Sequence, residues 1–340
     1  MSAVLRIVAA GPAMSVQDLG RDGYLSVGLT RGGAADPLAL YEGAALLGQD
    51  PDLAAIEMMG AGGSFEASID TVIALTGAPM RATLDGRPLT WSASHMLPAG
   101  GRLVIGGAQR GVYGYLHVAG GIDRPLEMAA RSAHLTAGIG GLLSQGDALP
   151  ICPSPEASGG RALTPQSRFE GGVVRVIASF QSGLFLPETR ARLTRTAFRR
   201  DARANRQGVR LQSDGEGFHA EGGLSIVSEV ITTGDIQIAG DGAPYVLMCE
   251  SQTTGGYPRI ATVIHADLPR VAQAPAGAPL RFEEVTRDAA IEIERRARAE
   301  RDALRHRVFP LIRDPHDIPD LLGYQLVSGA ISALDPHVPD

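Results

Sequence analysis

From Met1 to about Pro150 the apolar residues stand in short runs, Leu5–Ala9, Val72–Thr76, Leu103–Ile105 and Tyr113–Val118, each set off by glycine and other turn residues. Runs of that length and spacing favour an all-β barrel or sandwich over alternating βαβ units. One helix interrupts them. Asp36-Pro37 supplies an N-cap and a first-turn proline, and Leu38, Tyr41, Ala45 and Leu46 follow at helical spacing up to Gly48. Val72 to Leu89 reads as a hairpin turned at Asp85-Gly86, with Gly77-Ala78 as a bulge or a close backbone approach.

The segment Cys152–Glu170, rich in Pro, Ser and Gly, reads as a linker. After it the β pattern restarts at Val173–Ala178, a charged helical segment runs from Pro187 to Arg200, and a second charged helix from Arg287 to His306. Asp317 and Pro319 would cap a short amphipathic helix carrying Leu321, Leu322, Leu326 and Val327. The expected organisation is a β-rich lobe over residues 1–160, a β-barrel lobe over 170–286 and a helical extension over 287–340.

The basic side chains number 31 and every one is arginine. Without lysine, Schiff-base chemistry, a phosphate-loop lysine and covalent attachment of biotin to this chain are excluded. A formal net charge of −6 argues against a nucleic-acid surface. No apolar segment reaches membrane-spanning length, so a cytoplasmic protein is expected. Cys152 and Cys249 suit neither a disulfide framework nor a metal site, His316 lacks a second ligand at metal spacing, and no metal is assigned. His117 stands among apolar neighbours and reads as a satisfied core histidine.

Chemistry-bearing residues gather in three places. Tyr245–Met248 and Ile260–Ile264 are strand-like, and between them lie Ser251, Gln252, Thr253, Thr254, Gly255, Gly256, Tyr257 and Pro258. That loop is either a plain turn or a place where hydroxyls and backbone N–H groups converge on a ligand. Gln17, Asp18 and Arg21 put an amide, a carboxylate and a guanidinium within one short stretch, ahead of Gly32-Gly33 and Asp36. On spacing alone Asp18 and Arg21 read as a surface pair. Arg203–Leu211, RANRQGVRL, holds three arginines that either face water or grip a planar anion through the guanidinium fork.

Taken together these motifs resemble the biotin-dependent carboxyltransferase family, which includes KipA-like proteins, the C subunit of 5-oxoprolinase, allophanate hydrolase subunit 2 and part of urea carboxylase. The resemblance is carried by VQDLGR followed by GGAAD, by Glu57, by YGYLHVAGGI, by Asn205, Arg206, Gly208, Arg210 and Leu211, by Gln237, and by QTTGGYPRIATVIHADLPRVAQ. Departures include Gly32 in place of a common serine, Gln207 and Val209 in place of methionine and tyrosine, and Glu250 in place of aspartate. The resemblance implies a mainly β fold of two cyclophilin-like barrel lobes and a site between them for an amide or lactam. It implies anion binding by Arg206 and Arg21, orienting or proton-transfer roles for Asp18 and Asp36, and a substrate pocket shaped by Gln17, Asn205, Gln237, Thr253, Thr254 and Gly255–Tyr257. The implied partners are a KipI-like subunit and a LamB/YcsF-like subunit, through which ATP and biotin would be supplied. A 5-oxoprolinase subunit, a urea or allophanate carboxyltransferase and a regulatory binding module all remain open on sequence.

Overall fold

The computed structural model describes residues 3–154, 156–223 and 225–312. Its architecture is mainly β, as expected: two large sheets, a closed barrel, a small two-stranded sheet and four α-helices.

Strands of the first half alternate between two sheets. One runs in the order Ala148–Pro150, Val4–Ala9, Ser64–Ala67, Arg102–Ala108, Met80–Leu84, Arg87–Leu89. The other runs Met14–Gln17, Ala55–Met59, Tyr113–Val118, Thr71–Gly77, Ala93–Leu97, Arg161–Ala162, Phe309–Pro310. Their facing side chains, among them Ile7, Phe65 and Leu103 from the first and Ile56, Ile73 and Leu116 from the second, make one buried core. Each such side chain contributes roughly 1.5–3 kcal/mol by leaving water.

The second sheet is buried on both faces. Along Tyr113–Val118, Leu116 and Val118 enter the sandwich core, while Tyr113 and Tyr115 enter a second core. His117, on the same face as the two tyrosines, meets helix α1 (Pro37–Leu47). That helix starts at the expected proline and ends at Gly48, whose φ of 69° is left-handed.

The second half closes into a seven-stranded barrel in the order Gly172–Ile177, Arg259–Val263, Asp235–Ile238, Pro244–Leu247, Gly208–Gln212, Phe198–Arg200, Pro279–Glu284. Closure is made by parallel pairing of the first and last of these strands. Helix α2 (Pro187–Arg195) stops short of the expected Arg200, because Phe198–Arg200 is a barrel strand with Phe198 fully buried. Helix α3 (Leu268–Gln273) and helix α4 (Arg287–Asp302) follow. Phe198, Phe218 and Phe282 from the barrel share the second core with Tyr113, Tyr115 and Ala35 from the first half.

The expected linker is a packed part of the fold. Arg161–Ala162 joins the seven-stranded sheet, Leu163 is buried, and Arg168 is buried in ion pairs with Asp36 and Glu42 of the first half. Its Pro, Ser and Gly content reflects turns rather than freedom. The short helix expected after Asp317, and His316, lie outside the described residues. Among the described residues no helix is long and apolar enough to cross a membrane.

Candidate functional site

A cleft of about 320 Å³ opens between the sandwich and the barrel. The first half contributes Ala13, Ser15, Glu57, Met59, Tyr113, Leu135, Thr136 and Leu142; the barrel contributes Asn205, Arg206, Gln207 and Glu250. Alternation explains Glu57. In the strand Ala55–Met59, Ile56 and Met58 fill the sandwich core, so Glu57 must point the other way, toward the barrel.

Arg206 is the centre of the polar lattice. Its guanidinium donates to Glu57 Oε1, to Glu250 Oε1 at 2.6 Å and to the Gly33 carbonyl. Two buried carboxylates around one buried cation are tolerable when both oxygens of each are hydrogen-bonded, and they are. Glu57 Oε2 accepts from the Tyr115 hydroxyl at 2.7 Å and from the Ala35 N–H at 2.8 Å. Glu250 Oε2 accepts from the Thr136 N–H at 3.0 Å and from its hydroxyl at 3.1 Å. Burial alone would push the Glu250 pKa up, but the charge and hydrogen bond of Arg206, with help from the Thr136 backbone, hold it below the usual carboxylate range. The Tyr113 and Tyr115 phenols go the other way, raised first by burial and then by the Glu57 charge. Tyr113 on the cleft wall is therefore an O–H donor at any physiological pH. Cys249, next to Glu250, is pushed up to about 11 by burial and is an inert thiol.

Behind Glu250 sits His134, whose protonation is fixed by its neighbours. The Thr30 hydroxyl donates to the Ser251 carbonyl at 3.0 Å, so it can only accept from His134 Nε2, also at 3.0 Å. His134 Nδ1 accepts from the Ala137 N–H at 3.2 Å. The ring is thus a neutral Nε2–H tautomer, and burial lowers its pKa.

The motif residues separate into three groups. Asn205 and Arg206 line the cleft. Arg206 is fully engaged by chain acceptors, so its visible task is to hold two carboxylates in place. Gln17, Asp18, Arg21 and Asp36 are buried behind the wall and not on it. The Gln17 amide packs against Ser15 and, in its better-bonded orientation, against the Gly33 and Ala133 carbonyls. Asp18 is no surface partner of Arg21: its carboxylate accepts the N–H groups of Gly20, Arg131 and Ser132, while Arg21 donates to the Ser132 carbonyl. Asp36 precedes α1 without capping it, and its Oδ2 accepts from Arg168 and Gln273. The third group, Thr253, Thr254, Gly255, Gly256 and Tyr257, is absent from the cleft wall. Thr254-Gly255 pairs with Glu229-Val230, Gln237 packs on Gly255, and Tyr257 is exposed. The two loops do meet, through the Gly32 N–H donating to the Cys249 carbonyl at 3.0 Å and through Thr30 and Ser251.

Sequence reasoning passed over Tyr113, Thr136 and Glu250 as site residues and took Glu57 only as a motif match. A signal existed for Glu57, a carboxylate inside an apolar strand. None existed for Thr136, which the chain brings in from a loop far away in sequence.

The sequence model of the family described as "Carboxyltransferase domain, subdomain A and B" matches residues 27–284. Among curated relatives, the C subunit of 5-oxoprolinase from Escherichia coli is 35% identical over 298 residues, covering 85% of this chain and 94% of the relative. Urea amidolyase of Saccharomyces cerevisiae is 28% identical over 306 residues, 82% of this chain but 16% of that enzyme. The crystal structure of the Kluyveromyces lactis urea amidolyase superposes with a TM-score of 0.81 over 92% of this chain and 21% of its own, at 23% identity, which speaks for the fold alone. Because the family model covers most of this chain, residues 27–284, the chain belongs to the carboxyltransferase domain family, subdomains A and B.

Proposed function

We propose that this chain is the carboxyltransferase-family subunit of an ATP-dependent 5-oxoprolinase, working with a KipI-like and a LamB/YcsF-like subunit and inactive without them. The observation that carries this reading is the similarity to a 5-oxoprolinase C subunit across 85% of this chain and 94% of that subunit. With no lysine for a phosphate loop, ATP would be held by a partner.

The cleft supplies chemistry suited to a lactam. A lactam presents an N–H and a carbonyl oxygen, and the wall presents carboxylate acceptors on Glu57 and Glu250 beside the Tyr113 hydroxyl donor. In opening, water oxygen bonds to the ring carbonyl carbon, the C–N bond breaks and nitrogen takes a proton. The Tyr113 hydroxyl would stabilise the charge developing on the carbonyl oxygen, and a carboxylate held ionised by Arg206 would receive and return the proton. Asn205, also on the wall, would orient the ring.

A biotin-dependent carboxyltransferase acting on a urea-like amide is the second reading, favoured by the urea amidolyase similarity. Its cofactor would be carried by a partner. Arg206, which the motif resemblance assigns to the carboxylate of that cofactor, has its guanidinium occupied by Glu57, Glu250 and Gly33. With each Arg206 nitrogen already donating within the chain, this reading asks other groups to hold that carboxylate.

Reconstitution with both partner subunits, followed by ATP-dependent turnover of 5-oxoproline against urea, tests the choice. Turnover of 5-oxoproline that needs this chain is the expected result. Equal turnover by the partners alone would sink the reading.

A further inference from the structure

An exposed contact between the two halves bridges the cleft. The loop after Ala133 has its stem fastened to the sandwich: the Ala133 N–H donates to the Val16 carbonyl at 2.9 Å, and the Leu143 N–H to the Met14 carbonyl at 2.8 Å. His134 and Ile139 close the stem by exchanging N–H and carbonyl at 2.9 and 3.1 Å. Its exposed tip carries Thr136 to the barrel. There both donors of one residue converge on one oxygen, the Thr136 N–H and hydroxyl reaching Glu250 Oε2 at 3.0 and 3.1 Å. Gln207 of the barrel, also exposed, donates its side-chain amide to the same hydroxyl oxygen at 3.1 Å. Thr136, Gln207 and Glu250 all line the cleft.

The direction of each proton follows. An amide nitrogen only donates, so the Thr136 oxygen accepts from Gln207 and its own proton is committed to Glu250. Gln207 is itself held, its N–H donating to Asn205 Oδ1 at 2.8 Å and its carbonyl accepting from the Met248 N–H at 2.9 Å. Each carboxylate oxygen offers two acceptor positions. Thr136 fills both on Glu250 Oε2, whereas Oε1 takes one hydrogen bond, from Arg206 Nε at 2.6 Å, and keeps one position open. Without Thr136 the two oxygens would lose that difference, and Oε2 would compete for Arg206. The other charged or titratable groups around Glu250 come from both halves. The neutral His134 ring stands 4.0 Å from Oε2, Cys249 is an un-ionised thiol, Arg206 joins Glu250 to Glu57, and Arg21 adds positive charge from behind the wall.

We propose that Thr136 is a positioning residue for the cleft chemistry: its two donors hold Glu250 as an ionised acceptor with Oε1 left open, and Gln207 fixes the direction of the Thr136 hydroxyl. The role in turnover rests on the 5-oxoprolinase reading, while the positioning is built into this chain. In ring opening the open position on Oε1 takes the proton of the attacking water and returns it to the departing nitrogen, which regenerates the carboxylate. Thr136 belongs to the sandwich half and Glu250 to the barrel. The proton acceptor is therefore complete only while the two halves are docked, and the loop makes its state depend on that docking.

Carbon-13 NMR of the glutamate carboxyls, with Glu250 assigned through Glu250→Gln, follows its titration in the isolated full chain. The pH profile of kcat/KM for 5-oxoproline follows the reconstituted complex. A donor to the charged form lowers a carboxyl pKa, so Thr136→Val should raise the Glu250 titration by about one pH unit, and the acid limb of kcat/KM should move up with it. Thr136→Ser keeps both donors and should leave both near their wild-type positions. Gln207→Met should shift them in the same direction as Thr136→Val, by less. A side chain with only a structural role would instead lower kcat/KM evenly across the profile. If Glu250 titrates alike in the wild type and Thr136→Val, or the limb stays while the titration moves, the proposal fails and the 5-oxoprolinase reading stands. Thr136→Ser behaving like Thr136→Val would overturn it as well. If the wild-type complex does not turn over 5-oxoproline, that reading fails, and the titration in the isolated chain decides whether Thr136 holds Glu250.

Discussion

Arg206 shows how a residue chosen for one task can be read for another once its partners are visible. Its neighbours are two carboxylates and a carbonyl. Arg206→Ala should therefore cost roughly 3–5 kcal/mol by stranding two buried carboxylates, whereas an exposed arginine would change stability by less than about 0.5 kcal/mol. Urea denaturation distinguishes the two. Glu57→Gln keeps the volume but removes the charge and should lower kcat of the assembled enzyme by about 10²–10⁴-fold if this carboxylate moves the proton. Unaltered kcat would remove Glu57 from that role. His117 gives a pH signature. The Thr76 hydroxyl donates to the Ala39 carbonyl at 2.9 Å and accepts from His117 Nε2 at 2.7 Å, and burial lowers the ring's pKa from 6.5 to about 3. Below pH 6.5 the unfolded chain binds a proton that the folded chain refuses, so stability is full above that pH and falls toward pH 3. The slope should be about 1.4 kcal/mol per unit. Denaturation series from about pH 8 to about pH 4 should show a shallower acid limb for His117→Gln, and an unchanged limb would contradict the buried neutral ring.

At the scale of elements, what could be read from sequence is what local chemistry decides. The strand Tyr113–Val118 has the predicted bounds, α1 runs from its predicted proline to its predicted glycine, and the Asp85-Gly86 turn has both φ values positive, 48° and 81°. A turn of that hand joins two antiparallel strands without splaying them. What could not be read depends on distant partners. Phe198–Arg200 looks helical in its charge pattern and is a strand because the barrel needs it between Gly208–Gln212 and Pro279–Glu284. Arg168 looked like part of a linker because its two carboxylates are far away in sequence. Helix α1 illustrates the tension between local and tertiary terms at Gly43. A Cβ there would run into the His117 ring. Gly43→Ala gains up to about 1 kcal/mol of helix propensity, but overpacking a buried ring costs typically about 1–3 kcal/mol, and backbone on both sides is fixed. Net destabilisation by thermal melting is expected; a raised Tm would show that the helix can slide away from the sheet.

Across the whole molecule, the sandwich and the barrel are joined where the cleft is. Gln273 at the end of α3 uses its whole amide for the junction. Nε2 donates to Asp36 Oδ2 and to the Tyr113 carbonyl, each at 2.8 Å, and Oε1 accepts the Val112 and Tyr113 N–H groups, each at 2.9 Å. The side chain is fully buried. Tyr113 is thereby held at both main-chain groups by the barrel half while its ring lines the cleft, so the position of the proposed donor depends on the two halves staying docked. Arg168 adds a second tie through Asp36 and Glu42. A shared apolar core with buried polar ties predicts a single cooperative calorimetric transition. Gln273→Met keeps the volume but leaves the N–H groups of Val112 and Tyr113 unpaired, at about 1–3 kcal/mol for each, while the Tyr113 carbonyl keeps the Ala78 N–H. The variant should unfold in two steps as the halves uncouple, and its kcat in the complex should fall even though residue 273 is not on the cleft wall. One sharp transition at an unchanged Tm would mean that the apolar core alone holds the halves together and that Tyr113 needs no support from the barrel.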